Sequence, residues 1–312
     1  MTKIGFVGLG QMGKHMALNL LKSGAEMTVC ATRRSSLALF EKRGIRATTD
    51  LSEVAQSEIV FLSLPNGDVV RDVLLGEQSL TGFGSCVRVV VDTSTIAHAR
   101  AVELAEELEA RGIELVDAPV SGMEARAADG TLTAMCGGKR STFERVRPYL
   151  ACIASKILYM GPSGSGQLTK LINQLLFDIN AAALAEILPM SVKLGLDPEQ
   201  VGEVVNSGTG RSYASEFFIP RILDDSFSEG YSMANAYKDL VSAAEIGSRR
   251  CIPMPVLNAA TATYQMALLR GHGNGDKGSM IRLFEELLDV RYRHPQAPEE
   301  HAISLTAPPA VQ

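Results

Sequence analysis

The fold is decided by one stretch near the start of the chain, KIGFVGLGQMGKHMALNLLKSGAEMTVC, which runs from Lys3 to Cys30. It begins with a short apolar run, Ile4 to Val7, that predicts a buried strand. An amphipathic pattern then predicts a helix ending near Gly24, and a second apolar run from Met27 to Cys30 predicts another strand. Strand, helix and strand together form one βαβ unit of about thirty residues.

A glycine motif, G-x-G-x-x-G, lies between the first strand and the helix, in the sequence GLGQMG. In this context Gly8 permits a tight turn, Gly10 lets the backbone approach a pyrophosphate, and Gly13 lets helix and strand pack closely. The phosphates are expected on the helix N-terminus. We therefore predict a dinucleotide site rather than a structural glycine turn, formed by Gly8, Gly10, Gln11, Met12 and Gly13.

The residues after the second strand indicate which dinucleotide binds. NAD sites usually place an acidic residue there for the ribose 2′-hydroxyl, whereas NADP sites offer cations to a 2′-phosphate. This chain has no acid at that point but carries Thr32, Arg33, Arg34 and Ser35, and guanidinium groups bind phosphate through a fork of donors. NADP is therefore favoured over NAD; the alternative is that both arginines are simply solvated at a helix start.

Strand and helix patterns alternate through the rest of the first half, with strands predicted at 58–65, 87–95 and 113–122 and a helix at 98–111. This rhythm predicts an α/β fold with a Rossmann-type, doubly wound and mostly parallel sheet. Ligands of such sheets lie at the carboxyl ends of the strands. That edge is predicted to hold Leu64, Pro65, Asn66, Thr93, Ser94, Thr95, Ser121 and Gly122.

The second half of the chain has a different character. A Gly/Ser/Pro-rich segment at 161–166 leads into a very long helical pattern, and strand patterns are nearly absent after Tyr159. We therefore predict an all-helical C-terminal domain built on a long central helix. The expected domains are residues 1–162 for the dinucleotide, residues 163–290 for substrate and oligomerisation, and a loosely ordered tail at 291–312.

Three polar residues near the start of that long helix form a candidate site. Lys170, Asn173 and Gln174 stand at positions i, i+3 and i+4, so they share one helical face. Beside a cofactor domain such a trio suggests catalysis or substrate binding. On an isolated helix it would be an ordinary solvated surface.

Composition excludes several other classes of function. The chain has 312 residues and a net charge of −5, without a basic patch for nucleic acid or anionic lipid. We expect a cytoplasmic enzyme, since there is no secretory signal and no uncharged apolar run approaching the ~20 residues that span a bilayer. Its five cysteines include no C-x-x-C pair, so no metal site is predicted.

Several separated motifs, taken together, resemble those of the β-hydroxyacid dehydrogenase family over residues 3–288. They are GLGQMG, LPNGDVV from Leu64, DTST from Asp92, DAPVSG with DGTLTAMCGG, GSGQLTKLINQ around Lys170, KD at Lys238 and GHGNGD ending at Asp276. The resemblance implies a hydride transfer between a nicotinamide cofactor and a short 3-hydroxy acid or its semialdehyde.

The same resemblance implies roles for individual residues. Lys170 would be the catalytic acid or base, with Asn173 orienting the same oxygen. Ser121 and Gly122 would hold a small-molecule carboxylate substrate, and Thr95 and Lys238 would contact the cofactor.

Some positions depart from the family pattern. Met123 and Arg126 replace two glycines after the Ser-Gly turn, so the pocket wall is expected to be bulkier. Arg126 either reads a second anionic group of the substrate or points outward, and Arg211 is a second candidate for such recognition. Gln174 stands where many relatives have Asn, and Lys277 replaces the usual aromatic residue.

Two other functions remain as alternatives. Imine reductases share the architecture but generally lack the catalytic lysine, and a non-catalytic NADP-binding sensor would keep the glycine motif without turnover. Long helices with apolar residues on more than one face also predict a homodimer or homotetramer formed through the helical domain.

Overall fold

The computed structural model describes residues 2–82, 84–228 and 231–294. The chain divides into two compact units, with the boundary between Gln174 and Leu175. The sequence placed this boundary near residue 162, before the long helix. The structure instead groups the first turns of that helix with the N-terminal unit.

The N-terminal unit is built on a nine-stranded sheet with the order β3-β2-β1-β4-β5-β6-β8-β7, and β9 pairs with β8. The five pairings from β3 through β6 are parallel, whereas β8 runs antiparallel to β6 and β7. The strands are β1 (Lys3–Val7), β2 (Glu26–Cys30), β3 (Arg46–Thr48), β4 (Ile59–Leu62), β5 (Val89–Asp92), β6 (Glu114–Asp117), β7 (Val120–Ser121), β8 (Leu132–Gly137) and β9 (Ala154–Gly161).

Helices cover both faces of this sheet because its central strands are apolar on both sides. Every residue of β4 and β5 is buried, which is the pattern of a strand inside a parallel sheet. One core contains Phe6, Phe61 and Met16, and the core on the opposite face contains Val60 and Leu104. The helices are α1 (Gly13–Leu20), α2 (Ala38–Glu41), α3 (Leu51–Val54), α4 (Gly67–Leu75), α5 (His98–Glu109), α6 (Met123–Asp129) and α7 (Arg140–Leu150).

The long helix α8 (Ser165–Lys193) begins in the first unit and continues into the second. Among the described residues it is the one helix whose length and composition match a membrane span, and 39% of its apolar window is buried. Core helices of water-soluble proteins satisfy the same criteria, so this match is weak evidence. Asp178, in the middle of the helix, is buried and paired with Lys277, as is typical of a core helix.

The regular secondary structure in the described part of the C-terminal unit is helical, apart from an isolated bridge between Ser232 and Asp276. This arrangement confirms the predicted architecture of a Rossmann-type sheet followed by an all-helical half. After α8 come α9 (Pro198–Ser207), α10 (Tyr213–Leu223), α11 (Met233–Arg250), α12 (Pro255–Leu269) and α13 (Ile281–Leu288).

A buried ion pair lies inside this unit. The Lys277 ammonium contacts the Asp178 carboxylate, and both side chains are essentially inaccessible to water. The same ammonium lies 4.4 Å from the centre of the Phe177 ring, and the Tyr264 hydroxyl donates to Asp178 at 3.3 Å. Lys277, which departs from the family pattern, therefore has a structural partner within its own unit.

The first residues of the expected tail are packed rather than loose. The Tyr292 side chain is fully buried, and its hydroxyl donates to the Pro198 carbonyl oxygen. Arg293 forms ion pairs with Glu285 and Asp225. The expectation of loose order from residue 291 is therefore wrong for these two residues, because an aromatic ring and a paired guanidinium bind them to the helices. The rest of the expected tail, 295–312, lies outside the described residues.

Candidate active site

The glycine turn after β1 shows which of its glycines the fold itself requires. Gly8 has φ +100°, and a Cβ added there would lie 2.1 Å from the Ser63 carbonyl oxygen. At Gly13 an added Cβ would lie 1.9 Å from the Gly8 carbonyl oxygen. Around Gly10, by contrast, nothing lies within 4 Å of the added atom. The space over Gly10 is therefore open, and it fits the close approach of a pyrophosphate to the start of α1.

The residues that follow β2 are exposed at the same edge of the sheet. Thr32, Arg33, Arg34 and Ser35 all lie at the surface, and Arg34 begins a short 3₁₀ helix, Arg34–Ser36. Within the described part of the chain, no acidic side chain forms an ion pair with either arginine. Both guanidinium groups are consequently available to an anionic ligand.

The loops after β4 and β5 are joined by hydrogen bonds. The Leu64 amide donates to Ser94 Oγ at 2.8 Å, and Thr93 Oγ1 donates to the Leu62 carbonyl oxygen at 2.6 Å. Farther along the first loop, Asn66 caps α4 by accepting a bond from the Val69 amide at 3.0 Å. The predicted cofactor contacts Leu64, Pro65, Asn66 and Thr95 therefore lie on loops whose backbone is fixed.

Asp92, the last residue of β5, is a buried carboxyl at this edge. It accepts a hydrogen bond from the Ser94 amide at 2.9 Å. Burial nevertheless raises its pKa to about 7, because removing a carboxylate from water disfavours the charged form. Asp92 is therefore close to its own midpoint near neutral pH.

A second buried carboxyl, Asp117 at the end of β6, holds the start of α8. Its two oxygens accept bonds from the amides of Gly164 at 2.8 Å and Gln167 at 2.9 Å. The helix approaches the sheet closely here, since a Cβ added to Gly166 would lie 2.3 Å from the Met135 carbonyl oxygen. Burial raises the pKa of Asp117, although these amide donors lower it in part. A carboxylate at a helix N-terminus also interacts favourably with the helix dipole.

Gln167 connects the same helix to the loop after β5. Its side-chain amide donates to the Ser94 carbonyl oxygen at 2.7 Å, and its side-chain oxygen accepts from the Ile96 amide at 3.1 Å. These two bonds lie on either side of Thr95. Lys170 follows one helical turn later, and both Gln167 and Lys170 are buried.

The segment after Ser121 connects to the glycine motif through Glu124. This carboxylate accepts a hydrogen bond from Gln11 at 2.6 Å and lies 2.9 Å from the Lys14 ammonium and 3.0 Å from His15 Nε2. These donors lower the pKa of Glu124 to about 2. The start of α6 is therefore tied to the start of α1.

Two glycine replacements in this segment have distinct consequences. Gly122 has φ +139°, and Met123, which stands where many relatives have glycine, has φ +60°. A non-glycine residue in the left-handed region is under backbone strain. Arg126 is exposed, and its guanidinium donates to the Thr131 carbonyl oxygen of the following loop, which favours the outward-facing alternative.

The structure brings most of the predicted site residues into one unit. Among the helical trio, Lys170 is buried and Gln174 is partly buried, whereas Asn173 is exposed. Two predicted residues lie in the C-terminal unit. There the Lys238 ammonium lies 5.5 Å from the centre of the Tyr231 ring, and Arg211 forms an exposed ion pair with Glu216 at 3.0 Å.

Four residues that position these groups were not identified from the sequence as site residues: Asp92, Asp117, Gln167 and Glu124. The first two had a usable signal, because each is an acid at the carboxyl end of a buried strand. Gln167 and Glu124 had no such signal, because the partners of their side chains lie more than sixty residues away in the chain.

Comparison with known proteins agrees with this arrangement. Residues 3–161 match the NAD binding domain of 6-phosphogluconate dehydrogenase, and residues 164–284 match the NAD-binding domain of NADP-dependent 3-hydroxyisobutyrate dehydrogenase. The chain is 36% identical to 2-(hydroxymethyl)glutarate dehydrogenase of Eubacterium barkeri, over 92% of this chain and 96% of that one. The chain belongs to the β-hydroxyacid dehydrogenase family.

Solved structures of known proteins share this fold. A 3-hydroxyisobutyrate dehydrogenase from Salmonella typhimurium superposes with a TM-score of 0.81 at 27% identity, covering 91% of this chain and all of the other. An imine reductase from Myxococcus stipitatus superposes with a TM-score of 0.58 at 19% identity, covering 91% of this chain and 99% of the other. That likeness shows a shared fold alone. This member of the β-hydroxyacid dehydrogenase family is thus an NAD(P)-dependent oxidoreductase.

Proposed function

We propose that the protein interconverts a short 3-hydroxy acid and its semialdehyde, with Lys170 as the general acid and base. The observation that supports this most is the placement of Lys170. It is a buried lysine on a helix whose first turn is hydrogen-bonded to the carboxyl ends of two neighbouring strands of a nucleotide-binding sheet. A buried ammonium at that edge is suited to an oxygen that gains negative charge during reduction.

The nicotinamide cofactor, when bound, supplies the hydride for reduction or accepts it for oxidation. In the reductive direction the Lys170 ammonium stabilises the developing negative charge on the carbonyl oxygen and donates a proton from Nζ to it. In the oxidative direction neutral Lys170 accepts the hydroxyl proton. Asn173 orients the same oxygen, and Ser121 and Gly122 hold the carboxylate of the substrate.

Substrate turnover is the direct test of this function. Purified protein is assayed for NADPH and NADH oxidation with methylmalonic, tartronate and succinic semialdehydes and glyoxylate. The oxidative direction is assayed with NADP⁺, NAD⁺ and 2-(hydroxymethyl)glutarate, the substrate in the name of a 36% identical relative. We expect turnover of at least one, and a fall in kcat of about 10²- to 10⁴-fold in Lys170→Ala.

Near-wild-type turnover by Lys170→Ala would exclude Lys170 as the acid. Binding of NADPH without turnover of any compound would favour a non-catalytic binding protein. Reduction of cyclic imines alone would favour the imine reductase alternative.

We propose NADP as the preferred cofactor, because Thr32, Arg33, Arg34 and Ser35 offer two cations and two hydroxyls where NAD enzymes usually have an acid. Replacing both arginines by serine should weaken NADPH binding about 100-fold, or about tenfold for each charge-assisted contact. NADH binding should change less than about threefold, since it has no 2′-phosphate. Arg43→Ser, another exposed arginine of this unit, is the matched control. Equal losses for both cofactors would overturn the preference.

We also propose that the protein is a cytoplasmic homodimer or homotetramer formed through its helical unit. Large apolar side chains of that unit are exposed in the single chain, among them Leu269, Leu194 and Val204, and such exposure is typical of an interaction surface. Light scattering at micromolar concentration should give the mass of two or four chains. A monomer mass would contradict the assembly.

A further inference from the structure

We propose that Gln167 is a positioning residue for Lys170: its side chain fixes the catalytic helix to the loop that carries Thr95. The inference rests on the proposed function and adds a residue to which that function assigns no role. Gln167 uses both ends of its side-chain amide, donating to the Ser94 carbonyl oxygen and accepting from the Ile96 amide. Both contacts are buried, where a hydrogen bond to a fixed partner is most selective in geometry.

The two attachments of the α8 N-terminus control different degrees of freedom. Asp117 binds the backbone amides of Gly164 and Gln167, so it holds the helix end in place without involving a side chain of the helix. Gln167 instead binds through its side chain to one flank of the helix. Loss of the Gln167 contacts should therefore leave the helix attached and allow it to rotate or tilt.

Lys170 would move with such a rotation. It stands at i+3 from Gln167, so both side chains project from the same side of the helix. Gln167 is 2% exposed and Lys170 is 8% exposed, and each is buried in the described structure. A shift of about 1 Å at the reacting atoms can cost about 10²-fold in rate.

Two substitutions remove the contacts in different ways. Gln167→Met keeps the length of the side chain and loses both hydrogen bonds. Gln167→Glu keeps the shape and the acceptor for Ile96 but places an oxygen against the Ser94 carbonyl oxygen. If the methionine variant does not fold, the glutamate variant still tests the proposal.

Thr169→Val is the matched control. The Thr169 hydroxyl donates to the Ser165 carbonyl oxygen at 2.8 Å within the same helical turns. This variant therefore loses a hydrogen bond at the start of α8 without touching the loop that carries Thr95. It should behave as wild type in every measurement below.

The experiment compares steady-state kinetics, NADPH binding and amide hydrogen exchange in the full-length protein. In both Gln167 variants we expect kcat to fall at least tenfold, the Kd for NADPH to change less than threefold, and the deuterium isotope effect with 4-deuterated NADPH to rise. The Ile96 amide should exchange faster in Gln167→Met, because its acceptor is gone.

Each result has a defined meaning. A kcat within twofold of wild type in the variants would overturn the positioning role, even if Ile96 exchanges faster, since the contact would then be structural only. Unchanged Ile96 exchange in Gln167→Met would overturn the contact itself. If wild type and Thr169→Val turn over no hydroxy acid, the proposed function fails and the positioning role fails with it, whereas the exchange result still reports whether the contact exists.

Discussion

Two glycines of one motif should respond to the same substitution in opposite ways. At Gly13 an alanine methyl would lie 1.9 Å from the Gly8 carbonyl oxygen, far inside the 3.4 Å at which ordinary contact begins. The methyl is fixed directly to the backbone at position 13 and the oxygen belongs to the backbone of Gly8, so neither can move aside as the end of a flexible side chain would. We expect Gly13→Ala to lower the free energy of unfolding by about 3 kcal/mol, the upper end for overpacking, and the melting temperature by roughly 6–12 °C.

Gly10→Ala should leave the fold intact and impair cofactor binding instead. Nothing lies within 4 Å of its added methyl, and its φ is not in the left-handed region. The substitution should therefore leave stability unchanged or raise it by about 0.4–1 kcal/mol through the unfolded state. The methyl occupies the space through which the backbone approaches a pyrophosphate, so we expect NADPH affinity to fall at least tenfold, or about 1.4 kcal/mol.

Thermal unfolding without ligand and a fluorescence titration with NADPH separate the two effects. Gly210→Ala is the control, because its added methyl would have no neighbour closer than 3.7 Å and it lies outside the motif. If Gly10→Ala bound NADPH as tightly as wild type, the pyrophosphate would not lie over Gly10. If Gly13→Ala melted at the wild-type temperature, the packing argument for Gly13 would be wrong.

Three further predictions concern stability. Lys277→Met should lower the free energy of unfolding by about 3–5 kcal/mol, because Asp178 would stay in the interior without its ion-pair partner. Adding Asp178→Leu should restore most of the lost stability, and urea unfolding of the single and double variants checks both expectations. Because burial raises the pKa of Asp92 to about 7, the folded state binds a proton that the unfolded state has lost between about pH 4 and 7. The contribution of Asp92 to stability is therefore fully present below pH 4 and is lost as the pH rises through 7. In Asp92→Asn the free energy of unfolding should depend less on pH over this range. Met123→Gly should raise the free energy of unfolding by up to about 1 kcal/mol, because it relieves a φ of +60°. Calorimetry should therefore give a slightly higher melting temperature, and an unchanged or lower one would contradict this strain.

The architecture was predictable because its signals are local. Apolar runs of four or five residues, the glycine motif and the long helical period each depend on neighbours in the chain, and the structure has all three. The glycine turn was predictable for the same reason. Its geometry follows from six consecutive residues and the elements on either side.

The contacts that fix the site were not predictable in this way. Asp117 binds the start of α8 about fifty residues farther along the chain, and Gln167 reaches back to the loop after β5. Both contacts depend on strand order, which places the ends of β5 and β6 side by side. The helical period also put Lys170 and Asn173 on one face but gave no indication that one is buried and the other exposed.

Lys277 illustrates the same difficulty in the second unit. A lone lysine in a Gly-rich segment would be assigned to the surface, and only the folded chain brings it to Asp178, 99 positions away. A buried charge is stable only when it is paired, and the sequence alone does not identify the partner of Lys277.

The position of the unit boundary, between Gln174 and Leu175, has a consequence for protein engineering. The glycine motif, the loops after β4 and β5, Asp117, Gln167 and Lys170 all precede it, and the hydrogen bonds by which Asp117 and Gln167 hold the start of α8 lie within the first 174 residues. A chimaera joined at this point inside α8 would keep the glycine motif, the two arginines after β2 and Lys170 of this chain, and would take Lys238 from the helical half of another family member. Recombination at this point would then show which half of the chain determines cofactor preference: a preference retained from this chain would favour Arg33 and Arg34, and a changed preference would favour the imported half.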